Sequence, residues 1–310
     1  PVSRILVTGG AGFIGSQLVR DLVSSGWQVV VLDQLTYAGR RENLEGVACE
    51  LVVGNVCDAR VVSSVMDGCE AVLHAAAESH VERSLADPGV FVRTNVEGTR
   101  VVLHEAATHG ISRFVHVSTD EVFGAAPEGV RFAPQDPLVP GNPYAASKAG
   151  AEALVHAWRH SYGFPASVVR CTNNYGPRQH PEKAVPSWML AALSGGPVPV
   201  HGEGTAVRDW LYVGDLSMGV VAAVEHWRPA ATWHFAGRRH MANRVLAGRI
   251  AGMVGDLPLT FGPERQGQDA RYALDDEQTR QELGWAPRVS LQQGLETTLA
   301  WYREHAGEWD

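Results

Sequence analysis

The sequence predicts an α/β protein, a doubly wound parallel sheet followed by a smaller C-terminal α/β lobe. Three observations carry this reading. Short runs of β-branched and aliphatic residues alternate with longer stretches whose apolar residues recur at helical spacing, the pattern of strands joined by helical crossovers and hence paired in parallel. A glycine-rich turn separates the first strand from the first helix. Beyond residue 172 the alternation is lost and proline, glycine and tryptophan become frequent, which marks a change of architecture.

Composition narrows the class of partner. The formal net charge is −8 and no run of Lys or Arg stands out, which excludes an ordinary nucleic-acid surface. Any phosphate must be held by local donors. Cys49, Cys57, Cys69 and Cys171 have no metal-type spacing, and a chain of 310 residues can bury a core without disulfides, so a reducing cytoplasm is expected and no metal. No apolar run reaches the length of a membrane span, and the chain enters its first strand without a charged leader and apolar segment. Neither membrane attachment nor export is expected.

Residues 4–8 read as a buried strand, 9–15 as a tight turn and 16–25 as the helix that it opens. Glycines at positions 9, 12 and 15 allow the turn, the close approach of a pyrophosphate, and tight packing of helix on strand, with the helix N-terminus toward the anion. Residues 28–33 form the second strand, which ends in Asp33 about 20 residues after the turn, where a carboxylate accepts both ribose hydroxyls of an adenosine. This is a dinucleotide-binding (Rossmann) arrangement. Asp33 favours NAD over NADP, because it would repel a ribose phosphate. Taken alone, a glycine turn is a weak signal and an acid at a strand end can be a simple turn cap.

Residues 50–56 and 71–77 read as the third and fourth strands, with a helical segment around 61–66 between them. Ala75 and Ala77 are small enough for a cofactor to lie close over the strand end, although plain helix–sheet packing also explains them. Residues 78–84 are too polar for a core. A long helix is expected over 90–109, with Thr94 near the cofactor. Residues 113–119 form the central strand, which ends in Ser118, Thr119 and the adjacent acids Asp120 and Glu121. Side chains alternate along a strand, so both acids can address one ligand only if the backbone is already turning off the sheet. Adjacent acids on their own are usually solvated loop charges. Downstream, a surface loop over 127–143 leads to a helix over 144–162, on which Tyr144 and Lys148 fall one turn apart on one face. Residues 166–170 form the next strand. The boundary is expected after residue 172, with residues 1–172 as the first domain, 207–230 returning to it, and the rest of 173–310 as the smaller lobe, closed by a helix over 291–305.

These motifs together resemble the extended short-chain dehydrogenase/reductase superfamily and, within it, the nucleoside-diphosphate-glucose 4,6-dehydratases. The resemblance rests on Thr8-Gly-Gly-Ala-Gly-Phe-Ile-Gly15, Asp33-Gln-Leu-Thr-Tyr-Ala-Gly39, Ala75-Ala-Ala-Glu-Ser-His-Val-Glu-Arg-Ser84, Ser118-Thr-Asp-Glu-Val-Phe-Gly124, Tyr144-Ala-Ala-Ser-Lys148, Asn173-Asn-Tyr-Gly-Pro177, Pro181-Glu-Lys183 and Arg208-Asp-Trp210. The tandem acids discriminate most, since related epimerases keep the Tyr and Lys without them. The resemblance implies C4 oxidation by NAD with Tyr144 as base, Lys148 supporting it and Thr119 holding the hydroxyl. Glu121 then takes the C5 proton while a protonated Asp120 releases the C6 hydroxyl as water. It implies further cofactor contacts from Phe13, Ile14, Leu35, Thr36, Asn55, Val56 and Asn173. Substrate contacts are implied for Ser79, His80, Asn174, Glu182, Lys183, Arg208, Asn243 and Arg271. The expected substrate is a sugar nucleotide, dTDP-glucose first, and the expected assembly a homodimer through the helices over 90–109 and 144–162. An epimerase, a dehydratase with an unsaturated product and a non-catalytic dinucleotide-binding protein remain alternatives at this stage.

Overall fold

The computed structural model describes residues 3–309. The chain begins with β1 (Arg4–Thr8), turns into α1 (Phe13–Ser24), and returns as β2 (Gln28–Asp33). Next come β3 (Cys49–Val53) and α2 (Ala59–Met66), the latter started by Asp58, whose carboxylate accepts from the Arg60 and Val61 amides. After β4 (Ala71–His74) and α3 (Val81–Ala86), one long helix contains α4 (Pro88–Phe91), a π-helical stretch (Val92–Glu97) and α5 (Gly98–Thr108). β5 (Arg113–Thr119), a 3-10 turn (Asp120–Phe123), α6 (Pro143–Tyr162) and β6 (Ala166–Cys171) complete the regular alternation.

The rest of the chain is more irregular. It runs through β7 (Asn173–Tyr175), α7 (Ala184–Leu193), β8 (Val198–His201), β9 (Val207–Tyr212), α8 (Val213–Glu225) and β10 (Thr232–Phe235). β11 (His240–Ala242), α9 (Asn243–Val254), β12 (Leu259–Gly262), α10 (Glu277–Leu283) and α11 (Leu291–His305) follow.

Seven strands form the main sheet in the order β10-β6-β5-β4-β1-β2-β3, all parallel, as the alternation of strands and helices predicts. Successive residues of β1 face opposite layers. Ile5 and Val7 pack with Leu18 and Leu22 of α1 and with Leu216 and Val220 of α8, whereas Leu6 packs with Val62 of α2 and Val102 of α5. The strand order reverses between β1 and β4, which opens a crevice at the C-terminal edge of the sheet. A three-stranded sheet, β11-β9-β7, and a two-stranded one, β12-β8, belong to the smaller lobe, whose core includes Trp188, Met189, Leu246, Ile250 and Tyr302.

Several segments differ from the sequence expectation. The strands over 50–56 and 71–77 stop at Val53 and His74. Of residues 207–230, α8 packs on the main sheet, whereas β9 pairs in the three-stranded one, and β10, which follows, joins the main sheet. Residues 78–84, read as too polar for a core, contain the start of α3, and the expected helix over 90–109 is interrupted by its π-helical turn. That turn carries Asn95, whose side chain accepts from the Glu78 amide at 2.8 Å and donates to the Glu78 carbonyl at 2.9 Å. A wider turn at this point commonly accompanies a functional site. Among the described residues all four cysteines are free, and no helix is long and apolar enough to cross a membrane.

Candidate active site

The main cavity lies over the C-terminal ends of the parallel strands. Its floor is the glycine turn. Gly9 has φ +71°, a conformation that side chains disfavour, and a Cβ there would lie 2.7 Å from the Ala76 backbone. A Cβ on Gly15 would collide with the Gly9 carbonyl oxygen, so the start of α1 can approach β1 only with glycine. Thr8 and His74 lock the two strand ends together. Thr8 Oγ1 lies 2.7 Å from His74 Nδ1 and accepts from the Ala76 amide at 3.2 Å, while burial lowers the His74 pKa to about 3 and so keeps the ring neutral.

Asp33 closes one end of this crevice. Its Oδ1 accepts from the Leu35 amide at 2.8 Å and its Oδ2 from the Ala11 amide at 2.9 Å, which fixes the carboxylate in the cavity wall. Burial raises its pKa, and these two amides oppose the shift. A glycine cradle at a helix start and an anchored acid fit a dinucleotide with a free ribose diol.

The acid pair stands on a turn. β5 ends at Thr119, and the backbone then enters the 3-10 turn, so Asp120 and Glu121 both line the cavity instead of pointing to opposite faces. Thr119 Oγ1 donates to Asp120 Oδ1 at 3.2 Å and accepts from the Glu121 amide at 3.3 Å. Behind the turn the Arg170 guanidinium lies 4.7 Å from the Phe123 ring centroid and is paired with the buried Glu152 at 2.6 Å. The turn therefore rests on a rigid base.

Burial separates the two carboxyls in character. Asp120 is 3% exposed, and desolvation together with the negative charge of Glu121 holds its pKa well above the usual carboxylate range. Glu121 is also raised by burial, but the Asn142 amide and the positive charges of Arg208 and Lys183 oppose that rise. The arrangement favours one protonated acid beside one proton acceptor.

Tyr144 and Lys148 come from the first turns of α6, which Asn142 caps by accepting from the Ala145 amide at 2.8 Å. Lys148 Nζ donates to the Val117 carbonyl at 2.7 Å, and burial lowers its pKa to about 8. Burial and the charge of Glu121 raise the Tyr144 phenol, so its ionised form depends on positive charge nearby. Lys148 is one such charge, and it lines the same cavity.

Most of the residues expected from the sequence meet here. Gly9, Gly12, Phe13, Ile14, Gly15, Asp33, Thr36, Val56, Ala75, Ala77, Thr94 and Asn173 line the cavity with Ser79, Asn174, Glu182 and Lys183, beside the catalytic candidates Thr119, Asp120, Glu121, Tyr144 and Lys148. Leu35, Asn55, His80, Arg208, Asn243 and Arg271 do not line it. Leu35 packs against the main core, the Asn55 side chain accepts from the Cys57 amide, and His80 precedes α3 without a capping bond from its side chain. Arg208 stacks 4.6 Å from the Tyr272 ring centroid and acts on the acids by its charge. Asn243 opens α9, and Arg271 Nη1 donates to the Pro127 and Val130 carbonyls.

Asn142 and Tyr272, which no sequence motif singles out, both donate to Glu121 Oε2, at 3.3 and 3.4 Å. Tyr272 was one residue from a named candidate, on the opposite face of an extended segment. Gln179 and His180 line the cavity as well, and no sequence signal beyond the turn residues around them pointed there. If Asp33 holds a ribose diol, Asp33→Asn should weaken NADH binding about 10-fold and narrow its advantage over NADPH. Fluorescence titration with both nucleotides checks this, and an unchanged ratio of affinities would contradict it.

Residues 5–234 match the NAD dependent epimerase/dehydratase family. The chain is 43% identical to a dTDP-glucose 4,6-dehydratase of Streptomyces niveus, covering 99% of this chain and 95% of that protein. A protein of the same name from Mycobacterium tuberculosis is 41% identical over 99% of this chain and 95% of its own length. Among solved structures, a Streptomyces venezuelae dTDP-glucose 4,6-dehydratase with NAD bound is similar at a TM-score of 0.96 and 42% identity, covering 99% of each chain. A Thermus thermophilus UDP-glucose 4-epimerase in complex with NAD is similar at 0.90 and 32%, covering 97% of this chain and 99% of its own. Since the family match takes in the glycine turn, the acid-bearing strand end and the Tyr144 helix alike, the chain belongs to the NAD dependent epimerase/dehydratase family.

Proposed function

We propose that this protein is an NAD-dependent dTDP-glucose 4,6-dehydratase, a hydro-lyase that forms dTDP-4-keto-6-deoxyglucose. One observation carries the reading: Asp120, buried and with its pKa pushed well above the usual carboxylate range, stands next to Glu121 on a turn that aims both into one cavity. Moving hydrogen at C4 alone, as an epimerase does, has no use for an acid and a base side by side. Expelling water across C5 and C6 needs both. Relatives named for this activity, at 43% and 41% identity over 99% of the chain, support the choice.

When bound, NAD supplies reversible hydride storage, so that oxidation at C4 and reduction at C6 balance without a second redox substrate. Tyr144 accepts the proton of the C4 hydroxyl, which Thr119 holds by a hydrogen bond, and Lys148 favours the ionised phenol. Once C4 is a ketone, negative charge left at C5 spreads onto the carbonyl oxygen, and the C5 hydrogen becomes removable. Glu121 takes that proton. Asp120 gives its own to the departing C6 hydroxyl, which leaves as water, and C5 is later reprotonated. The cavity-lining residues named above for the cofactor and the sugar nucleotide keep those assignments in this proposal. Arg208 adds positive charge near the acids.

We also propose a homodimer through the long helix over 88–108 and α6. Val90, Val92 and Tyr162 are exposed on these helices, apolar groups that a second copy would cover. Light scattering should give twice the chain mass, and a monomer at micromolar concentration would contradict the assembly.

The acid and base roles separate cleanly by mutation. Asp120→Asn should retain C4 oxidation, read as reduced-nicotinamide absorbance, while release of water from dTDP-glucose, read by product mass, falls about 10²–10⁴-fold. Tyr144→Phe should depress oxidation itself by a similar factor. Undiminished water release by Asp120→Asn would refute the assignment.

A further inference from the structure

Glu121 is gripped by a residue that the reaction scheme does not use. Asn142 is 6% exposed and makes three hydrogen bonds inside the protein: Oδ1 accepts from the Ala145 amide at 2.8 Å, and Nδ2 donates to Glu121 Oε2 at 3.3 Å and to the Gly267 carbonyl at 3.1 Å. The Ala145 amide can only donate, which settles which end of the Asn142 amide is oxygen. A second donor, the Tyr272 phenol, reaches the same Oε2 at 3.4 Å. Both donors take one oxygen, which leaves Oε1 for a substrate hydrogen.

We propose that Asn142 is a positioning residue for the base: the side chain that starts the helix bearing Tyr144 and Lys148 also orients Glu121 and favours its proton-accepting form, with Tyr272 as its second support. This rests on the dehydratase reading, in which Glu121 removes the C5 proton. The physical argument is a competition. Burial alone pushes Glu121 toward the neutral form, in which it cannot act as a base, and the Asn142 amide is the largest influence opposing burial. The charged and titratable groups around the carboxylate are Asp120 on the same turn, Tyr144 from α6, Lys183 at the start of α7, Arg208 of β9, and Asp269 and Tyr272 before α10. Glu121 stays above the ordinary carboxylate value, and the Asn142 amide, then Arg208 and Lys183, restrain that rise against burial and Asp269. Asn142 also clamps Gly267, which ties the base to a segment of the smaller lobe.

The simpler alternative is that Asn142 only caps a helix. Asp caps as well as Asn does, so Asn142→Asp keeps the cap while it replaces the donor with a negative oxygen beside Glu121. In the NAD-loaded enzyme, the acidic limb of the pH profile for water release should move up by about one unit in Asn142→Asp, as a like charge demands. C4 oxidation, read as reduced-nicotinamide absorbance, should persist. Tyr272→Phe and Asn142→Ser, which lack one donor and add no charge, should move the limb in the same direction by less. Infrared titration of the protonated-carboxyl band that disappears in Glu121→Gln should show the same order without substrate. Because that titration needs no turnover, it decides the proposal even for a chain that released no water. A band and an acidic limb at their wild-type pH in folded Asn142→Asp and Asn142→Ser would overturn it.

Discussion

The site depends on where the backbone leaves β5. A strand that ran one residue further would carry Asp120 and Glu121 to opposite sides of the sheet, and no cavity could use both. Thr119 prevents this by serving as the last strand residue and the cap of the 3-10 turn, with its hydroxyl bonded to Asp120 and to the Glu121 amide. Phe123, stacked on Phe132 with ring centroids 4.8 Å apart and covered by Arg170, anchors the far end of that turn. Four consecutive residues are thereby held between a hydroxyl and an aromatic stack.

From that constraint the electrostatics follow. Carboxyls that share a dry site cannot both ionise cheaply, and here the deeper of the two, Asp120, bears more of the burden. Donors gather on the Glu121 side, Asn142 and Tyr272 by hydrogen bonds and Lys183 by charge, whereas Arg208 acts on both acids. The asymmetry between two chemically similar side chains thus comes from their neighbours. The same low dielectric raises Tyr144 and lowers Lys148, and the Thr119 hydroxyl works against the rise at the phenol.

Much of this was legible in the chain. β1, β2 and α11 occupy the residues that their apolar patterns and flanking turns indicate, because short buried strands and a capped amphipathic helix are local signals. The glycine turn was readable because three spaced glycines have few other uses. The turn at Asp120 was only an assumption, since nothing local says where a buried strand stops. The interruption of the long helix at Asn95 depends on its bonds to Glu78, 17 residues away, and was beyond any local pattern. Tyr272 and Asn142 were missed for the same reason, as their value lies in where the C-terminal lobe folds back. The solved epimerase with a TM-score of 0.90 shows why fold alone does not select the reaction.

The central claim is that hydrogen taken from C4 reappears at C6 after two neighbouring carboxyls have expelled water. Incubation of the protein with dTDP-glucose deuterated at C4, followed by mass and NMR analysis of the sugar, tests it most directly. The account predicts loss of water with the label transferred to C6 and a solvent hydrogen at C5. Label that stays at C4 in a product of unchanged mass would contradict it.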